Sequence, residues 1–473
     1  MITAIISPLM LILIVIFITA FKMNRLMAGF IGAITVAFFL LYIDNISTNT
    51  VVGFIVGTNN SNIQTILFIF GMMIIITICQ RSGVFIFIAF RLVQFSKGNS
   101  RLILVILCFF TFIFSSVSMN ILCIFLVIPL TITICKILRI NPLPFILSEG
   151  MIVNLGGLLF VISSIPNLLI SQSINWSFSE YFLDVGFFSI FLFFITTLFL
   201  IRYNKEKLET AEDNYIKRLL EYDPWIFVEN KNNFYMSSIM LLTTIMSVIL
   251  IPLFMNITID IISLTGGIIT IVLVAKRDFE SVWKELDLEL IFYLFCILFI
   301  SEAIEFTGIL NFAAIGIENV TGGNSLNIVL VILWVSALMS SVVHNAPITK
   351  IFIPIVNHLS TPLNQKTFFS ATSIGTVLGE NLSTMGDNLT LIVMVRSYGY
   401  ELKFSTFMKI SIIITIIQLI TSSIFLIMKV SIQFLFIGIV LLIVIVFLSY
   451  YYSKVLHFFH SKLNFINNKE EER

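Results

Sequence analysis

Apolar runs of about 20 residues follow one another almost from end to end of this chain, each long enough to cross a hydrocarbon layer of about 30 Å as a helix. Inside lipid a backbone N–H or C=O finds no water, so such runs are confined to helices or to a closed barrel. The runs do not alternate apolar and polar residues, which argues against a barrel. Composition agrees: 58% of the 473 residues are hydrophobic and 11% are charged, too little charge to cover a soluble surface. The formal net charge is +1, and no basic tract suggests a nucleic-acid partner. Cys79, Cys108, Cys123, Cys135 and Cys296 lie in apolar segments without metal-ligand spacing and read as small buried hydrophobes. The first run, Ile2 to Phe21, has no basic residue before it and reads as a first span.

The runs carry the same marks twice. Ser82-Gly83, Asn120 and Pro129 recur as Thr307-Gly308, Asn345 and Pro354, each 225 positions later. A second mark follows in each half, Asn154-Leu-Gly-Gly157 and Gly379-Glu-Asn381. Paired polar and glycine breaks at corresponding places in two apolar repeats point to a binding site near the middle of the membrane.

Full spans read as 2–21, 26–43, 63–80, 181–201, 237–255, 261–275, 287–304, 410–428 and 431–452. Two more, about 144–170 and 368–395, are broken in the middle. Residues about 102–136 and 326–358 are each a pair of apolar arms of about 15 residues around a polar tip, short for a crossing and so read as re-entrant hairpins. The alternative is two full crossings each. With the N-terminus outside, 24 of the 27 Lys and Arg fall on the cytoplasmic side, leaving only Lys350, Lys366 and Lys429 elsewhere. The outer loops 44–62, 171–180, 256–260 and 309–325 contain no basic residue. On this layout the two halves are inverted repeats.

The expected fold is an all-α polytopic membrane protein, with two inverted repeats of five transmembrane helices plus one re-entrant hairpin each and an extra C-terminal helix. Residues 1–201 form the first repeat, 202–236 a cytoplasmic linker, 237–428 the second repeat, and 429–473 the extra helix and a cytoplasmic tail. The stretch 84–97 reads as an amphipathic helix on the inner surface.

Several segments are recognisable. Ser115-Ser-Val-Ser-Met-Asn120 followed by Pro129, and Ser340-Ser-Val-Val-His-Asn345-Ala-Pro347 followed by Pro354, resemble the hairpin motif of the ion-transporter superfamily. Asn154-Leu-Gly-Gly157 through Pro166-Asn167 resembles its first broken helix, and Gly379-Glu-Asn381-Leu-Ser-Thr-Met-Gly386 its second. That superfamily includes arsenite permeases, citrate and dicarboxylate transporters and a class of sodium/proton antiporters. The resemblance implies a scaffold, a mobile transport domain with elevator-type movement, and a homodimer. It places substrate at Ser118, Asn120, Asn154, Gly156, Gly157, Asn167, His344, Asn345, Asn381, Ser383 and Thr384. It places a coupling cation, Na⁺ or H⁺, among Asn120, Asn345, Glu149, Glu380, Asp387 and Asn388, with Na⁺ at Asn120, Gly156, Asn345 and Gly379. No other cofactor is expected. The chain departs from the family pattern where Met119 and His344 precede the hairpin asparagines.

The residues themselves support parts of this. Freed carbonyls at a helix break can coordinate Na⁺, and asparagine offers both an acceptor and a donor. Ionisable residues inside a span default to function, which singles out Glu380 and Asp387. Glu149 reads equally as a coupling group or as a solvated residue near the inner interface. His344 suits proton coupling or a structural hydrogen bond. Lys350 is expected first to neutralise Asp387 or Glu380, and otherwise to hold an anion or snorkel outward. Glu302 and Glu305 read as interfacial. The function expected is secondary active transport of a small anion or oxyacid, carboxylate- or arsenite-like, across the cell membrane. A sodium/proton antiporter is the alternative. A channel or a membrane enzyme is disfavoured, since no nucleophile elbow, Walker motif or metal-ligand cluster is present in the sequence.

Overall fold

The computed structural model describes residues 3–19, 23–57, 60–118, 120–255, 257–275, 279–383, 387–431, 433 and 438–443. The first half runs α1 (Thr3–Thr19), α2 (Arg25–Phe38, extended by a π turn to Ile43), α3 (Thr48–Val56), α4 (Ser61–Arg81), α5 (Val84–Gln94) and the two arms α6 (Ser100–Val117) and α7 (Asn120–Leu138). It continues with α8 (Leu143–Gly156) and α9 (Ile165–Ser173), then α10 (Phe178–Tyr181) and α11 (Phe187–Tyr203), while α12 (Asp213–Glu221) lies in the linker. The second half runs α13 (Lys231–Phe254), α14 (Ile259–Val274), α15 (Phe279–Glu285), α16 (Leu288–Phe306), α17 (Ile309–Thr321), α18 (Ser325–Ser340) and α19 (Asn345–Leu359). It closes with α20 (Gln365–Gly379), α21 (Asp387–Ser397) and α22 (Phe404–Val430).

The repeated marks have local physical causes. Gly83 and Gly308 sit at φ 75° and 72°, where a side chain is strained, and each turns one helix sharply into the next. At Gly308 the bend between α16 and α17 is 70°. Asn99 and Asn324, also 225 positions apart, cap α6 and α18 by accepting from backbone N–H groups of the first turn. Asn120 and Asn345 each open the helix that carries Pro129 or Pro354.

Packing repeats as well. Helix α2 packs on α16 and α14 on α4; α6 packs on α8 and α18 on α20; α7 packs on α21 and α19 on α9. Exchanging the halves turns each pair into its mate. The α4–α14 crossing is close because Gly71 and Gly267 have no side chains: a Cβ on Gly71 would lie 2.4 Å from the Ser263 carbonyl carbon.

Among the described residues, six helices are long and apolar enough to cross a membrane, or seven if α16 and α17 count as one bent span. Large side chains such as Ile34, Leu242 and Phe254 are exposed on their outer faces, as lipid contact requires. The protein is therefore an all-helical, multi-pass membrane protein.

Several boundaries differ from those read in the sequence. The stretch 309–325 is mostly helix α17, and 44–62 contains α3. The arm α6 has 18 residues, long and apolar enough for a crossing and longer than the expected hairpin arm. Helix α14 runs from Ile259 to Val274 where 261–275 was expected, and at 16 residues it is short for a crossing. Of the expected span 431–452, only residues 431, 433 and 438–443 are described. Helix α5 is amphipathic as expected, but its apolar face is buried under the linker, with Phe90 against Tyr222 and Phe227. All five cysteines are buried and free. The three lysines outside the cytoplasmic set each meet a carboxylate: Lys350 with Glu302 at 3.0 Å, Lys366 with Glu180 at 2.6 Å and Lys429 with Asp184 at 2.6 Å.

Candidate functional site

Four helix interruptions converge. Helix α6 ends on Ser118 in extended conformation before α7 opens at Asn120, and His344, also non-helical, precedes α19 at Asn345. Helix α8 stops at Gly156 and α20 at Gly379, and short 3₁₀ turns follow at Val161–Ser163 and Glu380–Leu382. The glycines stop there because another backbone occupies the space. A Cβ on Gly156 would lie 2.4 Å from the Phe112 carbonyl oxygen and 1.8 Å from Ser115 Oγ. A Cβ on Gly379 would lie 2.3 Å from the carbonyl oxygen of Ala337, the residue 225 positions after Phe112. Gly156→Ala and Gly379→Ala are each expected to lower stability by about 1–3 kcal/mol through overpacking. Gly316→Ala, in a helix with nothing within 4 Å, should be neutral or stabilising. Thermal unfolding in detergent compares the three.

Each break leaves backbone carbonyls that need donors. Asn167 Nδ2 donates to the carbonyls of Gly157 at 2.7 Å and Phe160 at 3.2 Å. Asn388 Nδ2 donates to those of Glu380 and Ser383, both at 3.0 Å. The two carbonyl pairs are 223 positions apart, so the same brace is built in both halves. Ser373 Oγ holds Asn167 Oδ1 at 2.8 Å and shares a hydrogen bond with Tyr181 at 3.1 Å.

Between the braces runs a chain of amides. Asn120 Nδ2 donates to Asn154 Oδ1 at 2.6 Å, and Asn154 Nδ2 donates to Asn381 Oδ1 at 2.9 Å. This joins the first hairpin tip to both broken helices. The second tip is joined through Glu380, whose Oε1 accepts from the Asn345 backbone N–H at 3.3 Å and lies 3.9 Å from His344 Nε2. Asn120, Asn154, Asn345, Glu380 and Asn381 are all buried. Among the described residues, Asn120 Oδ1, Asn345 Oδ1 and Asn381 Nδ2 are buried without a hydrogen-bond partner. Polar atoms left so in a low-dielectric setting are costly unless a ligand meets them. Two oxygens, one from each half, and one N–H donor group are thus available: the oxygens suit a cation, the donor an anion.

A citrate-transporter family model matches residues 2–361 and 253–466. The chain belongs to the citrate transporter family. The family points to a secondary transporter, and some similar proteins carry transporter names. A 46 kDa membrane protein of Mycobacterium leprae is 24% identical over 77% of this chain and 85% of its own length. An uncharacterized transporter of Mycobacterium tuberculosis is 22% identical over the same shares. The human P protein is 23% identical over 73% of this chain and 51% of its own length. Among solved structures, the YdaH transporter of Alcanivorax borkumensis superposes with a TM-score of 0.57 at 14% identity, covering 81% of this chain and 87% of that one, a likeness of fold.

In this citrate-transporter-family protein the residues singled out from sequence divide into groups. Asn120, Asn154, Gly156, Gly157, Asn345, Gly379, Glu380 and Asn381 gather at the breaks, and His344 stands beside Glu380. Ser118 is buried at the first tip, and Ser383 is half-buried with its carbonyl held by Asn388. Thr384 and the Asp387 side chain lie outside the described residues. Asn167 and Asn388 brace the breaks. Glu149 is not solvated: it is buried in α8 with Oε1 accepting from Thr131 at 2.7 Å. Lys350 does not neutralise Glu380; its partner is Glu302, and the pair is only 6% and 9% exposed. Glu302 is correspondingly buried rather than interfacial, and Asn62 Nδ2 reaches it at 3.5 Å. Sequence reasoning missed Asn62 and read Glu302 as interfacial because Glu302 stands near the end of its apolar run, where solvation is the ordinary expectation.

Proposed function

We propose that the chain is a secondary active transporter of a small carboxylate anion of the citrate kind, coupled to Na⁺ or H⁺ and working across the cell membrane. The observation that carries this reading is the pair of buried, unpartnered amide oxygens of Asn120 and Asn345, one at each hairpin tip, with the Asn381 amide nitrogen near them in the network. Carbonyl-type oxygens at helix breaks are suited to Na⁺, and amide donors to a carboxylate. The family supplies the carboxylate. An oxyacid such as arsenite fits the same neutral, donor-and-acceptor lining.

The mechanism consistent with this site is alternating access by two inverted repeats in an elevator movement, as a homodimer, with the N-terminus outside and the C-terminus cytoplasmic. Support comes from the exchange of packing pairs between halves and from the cytoplasmic bias of Lys and Arg. Binding of the cation to the asparagine oxygens would draw the tips onto the breaks and complete the anion site.

Purified protein in liposomes with a trapped pH dye tests the reading. Na⁺, citrate, succinate and arsenite are added separately and internal pH is followed. A response that requires a carboxylate is expected. A Na⁺-driven pH change with no anion present would instead make the protein a sodium/proton antiporter. That second reading is favoured by the approach of His344 to Glu380. His344→Gln is then expected to change the pH profile of transport, and an unchanged profile returns His344 to a structural role.

A further inference from the structure

Beside the first break, whose Val161 and Ile162 form part of its wall, a cavity of about 160 Å³ lies between the first broken helix and the α13–α14 corner. Leu168, Ser171 and Trp176 line one side, Val248, Ile249 and Pro252 the other. A cavity of this size takes an apolar group about as large as benzene. Its wall is mostly aliphatic and aromatic; of its polar residues, Gln172 Oε1 accepts from Thr65 and Ser177 is bonded to Glu180. The Trp176 indole N–H and the Ser171 hydroxyl line the cavity, are more than nine-tenths buried and have no hydrogen-bond partner among the described residues. A buried donor without an acceptor is costly, so the cavity calls for an occupant with an apolar body and an acceptor oxygen.

The surroundings narrow the class. The ionisable residues next to the lining are acids: Asp260 adjoins Ile259 and is buried, and Glu180 faces Lys366 and the Ser177 N–H and is about half exposed, so no free cation is offered to a carboxylate ligand. A neutral acceptor is therefore required. Beside the mouth, Pro252 is exposed, and Leu250, Phe254 and Met255 expose their apolar side chains, a surface that suits lipid. On the cytoplasmic-bias layout the segments 171–180 and 256–260 lie at the outer interface, the depth of ester carbonyls, where tryptophan is favoured.

We propose that this cavity is a phospholipid site, in which an ester carbonyl of an outer-leaflet lipid accepts from Trp176 and Ser171 and the adjoining acyl segment fills the space against Val248 and Ile249. A lipid seated there braces the broken helix against α13. The proposal does not depend on which substrate the transporter carries.

Trp176 reports directly. The chain has four tryptophans, so subtracting the emission of Trp176→Phe from that of the intact protein isolates Trp176. Purified protein is reconstituted in ordinary phosphatidylcholine or in phosphatidylcholine brominated on the acyl chain near the ester. Loss of most of the Trp176 emission in brominated lipid is expected. Val248→Phe, which fills the cavity with an apolar ring, should restore that emission. Equal Trp176 emission in the two lipids would overturn the proposal in favour of water in the cavity. Quenching by a brominated free fatty acid but not by the brominated phospholipid would overturn the assignment to phospholipid. Quenching that persists unchanged in Val248→Phe would place the lipid outside the cavity and also overturn it.

Discussion

Lys350→Met is expected to destabilise the folded protein by about 3–5 kcal/mol, the usual cost of stranding one member of a buried ion pair. Lys350 Nζ lies 3.0 Å from Glu302 Oε2 with both side chains almost fully buried. Lys350 also reaches Ser61 Oγ at 3.4 Å, so the pair ties α19 to α16 and to the start of α4. Glu302→Gln should cost a similar amount by leaving the ammonium without its charge partner. The double variant Lys350→Met/Glu302→Gln should recover most of the loss, because two charges that need each other are removed together. Unfolding in detergent, followed by tryptophan emission against temperature, measures all three. A double variant as unstable as the sum of the singles would mean that the two residues act independently, and the pairing would be wrong.

Asn120→Ala and Asn345→Ala are each expected to abolish coupled transport while folded protein still reaches the membrane. The two should differ in stability. Asn120 makes a 2.6 Å bond to Asn154, and its removal leaves a buried acceptor behind, at a cost of about 1–3 kcal/mol. Asn345 Oδ1 has no partner among the described residues, so losing that oxygen should cost little in the ligand-free protein. Stabilisation by added Na⁺, which follows from binding to the folded state alone, should disappear in both. Flux at the wild-type level in either variant would remove the hairpin asparagines from the site.

Much of this arrangement was legible in the sequence, and the reason is local. Gly83 and Gly308 mark turns that demand positive φ, and Asn120 and Asn345 mark helix starts, so their spacing transmits directly into structure. What stayed hidden depends on contacts between distant segments. The glycine packing and the braced carbonyls share one register, Gly156 with Gly379 and Gly157 with Glu380, which sets Val377 opposite Asn154 and Leu158 opposite Asn381. The two asparagines read as counterparts are thus inequivalent, and they bond to each other instead. Asn167 and Asn388 were read as substrate and cation ligands rather than as a bracing pair, because they do not keep that spacing. Lys350 was assigned the wrong carboxylate because nothing in a linear reading brings α19 beside α16. Helix α17 was taken for a loop because its Gly316 and the following Gly322-Gly323 resemble turn punctuation.

The Lys350–Glu302 bond has no copy in the first half. The positions 225 residues earlier are Phe125 and Thr77, which carry no charge. In a cycle that trades the postures of two identical halves, the two end points would be degenerate. This chain is not so balanced: where the second half holds an ion pair, the first half has a phenyl ring and a hydroxyl at the corresponding positions. In the alternating-access cycle proposed above, the bond would act as a weight on one side, lengthening the dwell in the posture seen here and making the outward and inward strokes unequal in speed.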